Sequence, residues 1–318
     1  MRVAVTGSTG LVGRALVRAL QARGDEVLPV LRHSESTASP GSCLWNPDGP
    51  PGATSLPDGE DAVDAVVHLA GAPIAAKRWS EPYKRILSSS RIEGSRVLVD
   101  AIGRLANPPR TVISASALSV YGEDSDRILE ESMFTEQQVR DKVTEPRGPG
   151  TGFLTTLARG WEREVYRARD NGVDRVVTFR IGLALDSAGG ALGKMLPLFK
   201  LGLGGTLGNG RQWMSWVLLD DLVRALLFAL DEPKLDGPAN LISPTPCTNR
   251  DFTRALAKVL RRPALFPAPA PMLRLLVSGF ADEGLLVSNR AVPGALQEAG
   301  FQFEAADLED ALRAAIPR

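Results

Sequence analysis

The stretch Met1-Arg2-Val3-Ala4-Val5-Thr6-Gly7-Ser8-Thr9-Gly10-Leu11-Val12-Gly13-Arg14 decides how the rest of the chain is read. Arg2-Val3-Ala4-Val5 is the short apolar run of a buried strand. From residue 11 to 23, Val12, Leu16, Ala19 and Leu20 recur with helical spacing. A strand, a glycine turn and a helix in immediate succession form the context in which a glycine pattern reads as a dinucleotide site. A diphosphate needs backbone N–H groups and a helix N-terminus aimed at it. Gly7 permits the tight turn, Gly10 removes a Cβ from the path of the pyrophosphate, and Gly13 lets the helix lie close to the strand. The expected contacts are Thr6, Gly7, Thr9, Gly10, Leu11, Val12 and Gly13. A ligand-free βα turn would also use glycines, but it would not require this arrangement.

The rest of the chain sorts into the same pattern. Residues 26–31 read as a second strand, and Arg32 follows it, nineteen residues after Gly13. An acidic residue there would suit the ribose 2′-OH of NAD, whereas an arginine suits the 2′-phosphate of NADP. Arg32, with Ser34 as a second contact, therefore points to NADP(H). Residues 36–60 are loop-like around a short strand at 43–45. Residues 65–69 form a cleaner strand ending in small residues, so that Leu69, Ala70 and Gly71 can lie against the cofactor. His68 is expected to pack within that strand. Residues 80–106 read as mostly helical, capped by Ser80, and 111–116 as the next strand. This order argues for an α/β fold, a Rossmann-type doubly wound parallel sheet. Further on come a polar excursion (122–152), a helix (154–171) and a strand (175–181). A short helix at 195–200 then lies within glycine-rich sequence, and another helix covers 220–230 with Asp221 as its cap. Helices at 249–261, 271–280 and 307–316 lie among prolines. The expected division is 1–182 with 217–243 for the dinucleotide domain. Residues 183–216 with 244–318 form a smaller, mostly helical C-terminal substrate domain.

Bulk properties narrow the function. The chain has 318 residues, zero formal net charge and no basic run, which argues against nucleic acid and against an anionic membrane. No apolar run reaches membrane-spanning length. Two cysteines, Cys43 and Cys247, without metal-type spacing, suit a reducing compartment. Two histidines make a histidine-based metal site or a Ser-His-Asp triad a poor expectation. The strand starts at residue 2, which leaves no room for a signal peptide, so a cytoplasmic location is expected.

The G-x-x-G-x-x-G spacing opened by Thr6 resembles the extended branch of the short-chain dehydrogenase/reductases. Leu69-Ala70-Gly71-Ala72-Pro73-Ile74 with Lys77-Arg78-Trp79 narrows the resemblance. So do 201–205, the run Gly208-Asn209-Gly210-Arg211-Gln212-Trp213-Met214-Ser215-Trp216, and the blocks at 240–244, 290–293 and 299–301. Together they identify the chain as similar to the YfcH-like epimerase family, over almost its whole length. The resemblance implies NADP binding, a small C-terminal domain and the family's usual label of nucleoside-diphosphate-sugar epimerase. It supplies no substrate. A label of cell division, sometimes attached to the family, implies a protein partner instead. Dimers through long helices are common in such folds, which makes a homodimer the prior expectation.

The resemblance also shows departures. Active members of the superfamily use a tyrosine and, four residues on in one helix, a lysine, which places both on one face for proton transfer. Anchored on Glu162, those positions are Leu154 and Ala158, and neither side chain can move a proton. The accompanying Ser/Thr position falls on Ala117, with Ser116 and Ser114 nearby. The arginine that grips a nucleotide diphosphate is replaced by Met214, with Arg211 three residues earlier. The candidates for catalysis are thus Ser116 and Tyr121. Arg91, where many relatives have asparagine, and Arg180 join the cofactor contacts. Lys77, Trp79, Arg211, Trp213 and Trp216 are the candidates for a substrate, either a nucleotide sugar or a small carbonyl compound. Two readings remain: an NADP(H)-dependent oxidoreductase or epimerase with a rebuilt proton path, and an NADP(H)-binding sensor that has lost the chemistry.

Overall fold

The structure is a computed structural model of the chain and describes residues 1–32, 43–46, 54–122, 126–141 and 152–316. Seven parallel strands form one sheet. Across it they run Gly237–Leu241, Arg175–Ile181, Thr111–Ala117, Ala65–His68, Arg2–Thr6, Glu26–Arg32 and Cys43–Trp45. The chain starts within the sheet, builds outward to one edge, and then crosses to the other side of its own first strand. The reversal falls between Arg2–Thr6 and Ala65–His68, where Thr6 lies opposite His68. Loops at the carboxyl ends of these two strands must diverge, which opens the crevice in which such sheets hold ligands.

Both sheet faces are covered, which is why the strands are apolar throughout. On one face Leu16 and Leu20 of the helix Leu11–Arg23 pack with Leu222 and Leu226 of the helix Leu219–Asp231, over Val3, Val5, Val67 and Val177. On the other, Leu98 and Ile102 of Gly94–Ile102 pack with Trp161 and Val165 of Phe153–Tyr166, over Ala4, Val66, Val112 and Val176. A third core joins the helices Gly190–Lys200, Asn249–Leu260 and Leu308–Ala315 through Leu192, Leu196, Phe252, Leu256 and Leu312. The fold is therefore the expected α/β arrangement with a helical C-terminal region. No helix of the described residues is long and apolar enough to cross a membrane.

Three elements differ from the sequence reading. The helix expected at 195–200 starts earlier, at Gly190, because burying Leu192 and Leu196 outweighs the poor helix propensity of its glycines. The helix expected over 80–106 is broken by a π-turn at Ser89–Glu93, with Ser80 as its cap through a bond from the Tyr83 N–H. Asp221 is not a cap: its buried carboxylate accepts from the N–H groups of Glu304 and Ala305, at 3.0 and 2.9 Å, and pairs with Arg224. It fastens the C-terminal tail to the sheet domain. Within the 122–152 excursion, Ile128–Leu129 pairs in parallel with Arg290–Ala291, and Glu136–Arg140 is a capped helical turn.

Candidate functional site

The glycine turn is built as a cradle. Gly7 has φ +68°, and a Cβ there would sit 2.8 Å from the Leu69 and Ala70 backbone. A Cβ on Gly13 would lie 2.1 Å from the Gly7 carbonyl oxygen, and one on Gly10 would lie 3.2 Å from it. Gly10 is the N-cap of Leu11–Arg23, and neither a capping side chain nor a first-turn acid occupies that helix end. Its N–H groups and positive dipole face the crevice uncompensated, which suits an anion. Thr9 and Gly10 are exposed there, and Leu11 and Val12 are partly so. These are the features a dinucleotide pyrophosphate requires, so the residues fit that group.

The opposite wall is Leu69-Ala70-Gly71. Gly71 is exposed, and a Cβ on it would lie 3.0 Å from the Arg91 guanidinium. The π-turn aims Ser90 and Arg91 at this wall: the Ala72 N–H donates to Ser90 Oγ, and Arg91 donates to the Ala72 carbonyl at 3.0 Å. Arg91 also lies over the Trp161 ring, and burial pushes its pKa down to about 10. At the far end of the crevice Arg32 is exposed, its guanidinium 5.7 Å from the Trp45 ring centroid. Ser34 lies outside the described residues.

Several expected site residues serve the interior instead. Thr6 is fully buried; its hydroxyl accepts from the Leu69 and Ala70 N–H groups and bonds His68, which in turn bonds Ser95. Its side chain splices the two central strands and does not reach the crevice. Arg180 is likewise interior: it is fully buried and paired with buried Glu162 at 2.9 Å. It also donates to the Phe134 carbonyl and to the Tyr121 hydroxyl. Burial opposes its charge, but the Glu162 carboxylate outweighs that and raises its pKa. Ser116 donates to Glu162 Oε1 at 2.6 Å, and Tyr121 donates to Asn240 Oδ1 at 2.7 Å. Burial pushes the Tyr121 phenol up to about 12. Both expected catalysts thus belong to one buried polar network beneath the strand ends.

A cleft of about 280 Å³ opens above that network, between the carboxyl ends of Thr111–Ala117 and Arg175–Ile181 and the C-terminal region. Leu154 and Ala117 line it, at the tyrosine and Ser/Thr positions of the resemblance, as do Trp213 and Met214. Ala158 is buried out of it. Trp216 is completely buried in the third core, so it is no substrate wall. Trp79 packs edge-on against Phe153 with its indole N–H on the Ile74 carbonyl. Trp79 does not line the cleft, but Phe280, which does, lies 5.4 Å away between ring centroids. Lys77 and Arg211 are exposed and do not line it.

Sequence reasoning missed three cleft groups. Ser119 donates to the Leu154 carbonyl at 3.2 Å. Glu283 accepts from the Leu154 N–H at 2.7 Å through Oε2. Asn289 is the third, beside Ser215 of the quoted run. Ser119, two residues before Tyr121-Gly122, was within reach of a motif count. Glu283 comes from a π-turn at Ala281–Leu285, after the helix Ala270–Val277, and Asn289 follows it; neither carried such a signal.

Residues 3–144 match the NAD dependent epimerase/dehydratase family, and residues 268–315 match a domain of unknown function (DUF1731). The chain is 42% identical over 316 residues to an epimerase family protein of Mycobacterium bovis, covering 99% of this chain and 98% of that one. It is 33% identical over 321 residues to a chloroplastic epimerase family protein SDR39U1 homolog of Arabidopsis thaliana, covering 99% and 86%. Among solved structures it is similar to the human epimerase family protein SDR39U1 (isoform 2), determined with NADPH. There the TM-score is 0.83 and the identity 30%, over 99% of each chain.

Proposed function

The chain belongs to the epimerase family, and from that premise we propose that it is an NADP(H)-dependent oxidoreductase or epimerase-type enzyme that works without the usual tyrosine–lysine pair. One observation carries the cofactor half. The uncapped N-terminus of Leu11–Arg23 sits in a glycine cradle that any Cβ would obstruct, with the Arg32 cation exposed at the end of the neighbouring strand. The human relative solved with NADPH supports the same choice. When bound, the cofactor supplies or accepts a hydride. The backbone of 7–13 would hold its diphosphate and Arg32 its 2′-phosphate, and the small residues Ala70 and Gly71 would leave room for the adenosine end. Arg91, behind Gly71, keeps that wall in place.

The cleft beside Ala117 and Leu154 is the substrate site in this reading. We assign 1–182 with 217–243 to the cofactor side, and 183–216 with 244–318 to the substrate side. The side chains lining the cleft shut out water and orient the substrate. With Leu154 and Ala158 in the acid–base positions, any proton must come from another group. The same two residues favour the second reading, a chemically silent NADP(H) sensor.

The test is a fluorescence titration of the protein with NADPH and NADH, repeated on Arg32→Asp. The expected result is NADPH binding at least tenfold tighter, with the preference reversed in the variant. Binding of neither nucleotide at micromolar concentrations sinks both readings. If NADPH binds, consumption of it with any of a panel of carbonyl compounds separates enzyme from sensor.

A further inference from the structure

Resting on the reading that the 280 Å³ cleft holds the substrate, we infer that it takes a small, apolar alcohol or carbonyl compound, neutral or cationic, and rejects a nucleotide diphospho-sugar. The lining is largely hydrocarbon and indole, with Leu154, Leu183, Met195, Trp213, Phe280 and Leu285 among its bulkier members. Glu283 is the only charged side chain among the described residues that line it. A diphosphate entering there would lose water beside a carboxylate, and among the described residues no cation lines the cleft to repay it.

The nearby cations are engaged or turned elsewhere. Arg290 lies over the Trp213 ring, 4.3 Å from its centroid, and is absent from the lining. The Lys194 ammonium donates to the Ala75 carbonyl at 2.6 Å. Arg211 is exposed outside the cleft. Met214, at the position where the resemblance implies a diphosphate-gripping arginine, contributes a thioether.

The polar groups that remain suit a single oxygen function. Ser215 is spent, donating to the Asn289 carbonyl and accepting from the Ala291 N–H. Glu283 uses Oε2 on the Leu154 N–H, and its Oε1 has no partner among the described residues. The Asn289 side-chain amide likewise makes no hydrogen bond to described residues, although its backbone is engaged. An amide donor and a carboxylate acceptor in an apolar cleft can orient a carbonyl or a hydroxyl. A pocket that is mostly apolar with a few placed polar groups is the usual form of a small-ligand site.

The experiment is a ligand-observed NMR and tryptophan-fluorescence titration of the full chain, with and without NADPH. The probes are cyclohexanone, benzyl alcohol, benzylamine and UDP-glucose. The first three are expected to bind and to quench fluorescence that Trp213→Phe removes, while UDP-glucose at 1 mM neither binds nor displaces them. The double variant Met214→Arg, Glu283→Gln is expected to bind UDP-glucose at least tenfold more tightly than the native protein. Submillimolar UDP-glucose binding that displaces the apolar probes overturns the inference. So does failure of all three small probes to touch Trp213. NADPH affinity is scored separately: if NADPH fails while cyclohexanone still reports at Trp213, the cofactor reading falls and the apolar character of the cleft stands.

Discussion

The Glu283 carboxylate accepts a hydrogen bond from the backbone N–H of Leu154 at 2.7 Å, across 129 residues of chain. The helix Phe153–Tyr166 starts from Gly152, which has no side chain to cap it. A Cβ at Gly152 would lie 2.3 Å from the Glu283 carboxylate, so the missing side chain makes room for the distant one. One residue thereby joins the C-terminal region to the sheet domain and brings to the cleft the one charged side chain among its described lining residues. Glu283→Ala is expected to cost about 1 kcal/mol, the usual worth of a helix cap. Glu283→Gln retains an oxygen acceptor and should lose less than half of that. The urea midpoints of the native protein and the two variants decide it; a Glu283→Ala midpoint equal to the native one would mean that the bond contributes nothing.

The glycines of the turn are unequal, and their substitution should show it. A methyl at Gly13 meets the Gly7 carbonyl oxygen at 2.1 Å, whereas one at Gly10 meets it at 3.2 Å. Gly13→Ala must displace the turn and is expected to lower stability by roughly 1–3 kcal/mol, the usual cost of overpacking, and to weaken NADPH binding at least a hundredfold. Gly10→Ala should fold almost normally and still weaken NADPH, because its methyl projects where the phosphates approach. Calorimetry of both variants with NADPH is the check. Native affinity in Gly10→Ala would place the phosphates elsewhere.

The Arg180–Glu162 pair is expected to govern stability and not binding. Both side chains are fully buried, and Ser116 hydrogen-bonds the same carboxylate. Removing one partner of such a pair strands a charge, at a cost of about 3–5 kcal/mol. Glu162→Gln should fall in that range in urea unfolding while NADPH affinity stays within twofold. Arg180→Met tests the other partner. A tenfold loss of NADPH affinity in a variant that remains folded would return Arg180 to the cofactor site.

Those outcomes bear on what the chain reveals before it folds. The close packing at Gly7 and Gly13 is legible in the sequence because backbone approach depends on the local residue alone, and strand and helix periods are equally local. Ser116, Tyr121 and Arg180 lie in the interior network, which their sequence positions do not reveal, because a strand end carries polar groups of two kinds. Some face the cleft and some face the helix behind, and only the position of Glu162 tells them apart. Trp213 and Trp216 are three residues apart, yet one lines the cleft and the other is sealed in the third core. Glu283 was invisible because its partner is set by how the C-terminal region docks.

His68 gives the protein an acid-sensitive point. Burial, and secondarily the Arg91 charge, pushes its pKa down from the ordinary 6.5 to about 4. The ring bridges the Thr6 and Ser95 hydroxyls at 2.7 and 3.0 Å, so it is held neutral between two central elements. In the unfolded chain it protonates near its ordinary value. Between pH 6.5 and 4 the unfolded state therefore binds a proton that the folded state refuses, and stability falls as pH falls through that window. A shift of that size corresponds to roughly 3 kcal/mol by pH 4, and to nothing above pH 7. Urea unfolding at pH 7.5, 6.5, 5.5 and 5.0 should show the loss. His68→Gln, which keeps a neutral hydrogen-bonding side chain, should be less stable at pH 7.5 but decline more gently on acidification. Parallel slopes in the two proteins would show that His68 titrates normally and that the acid sensitivity lies in other groups.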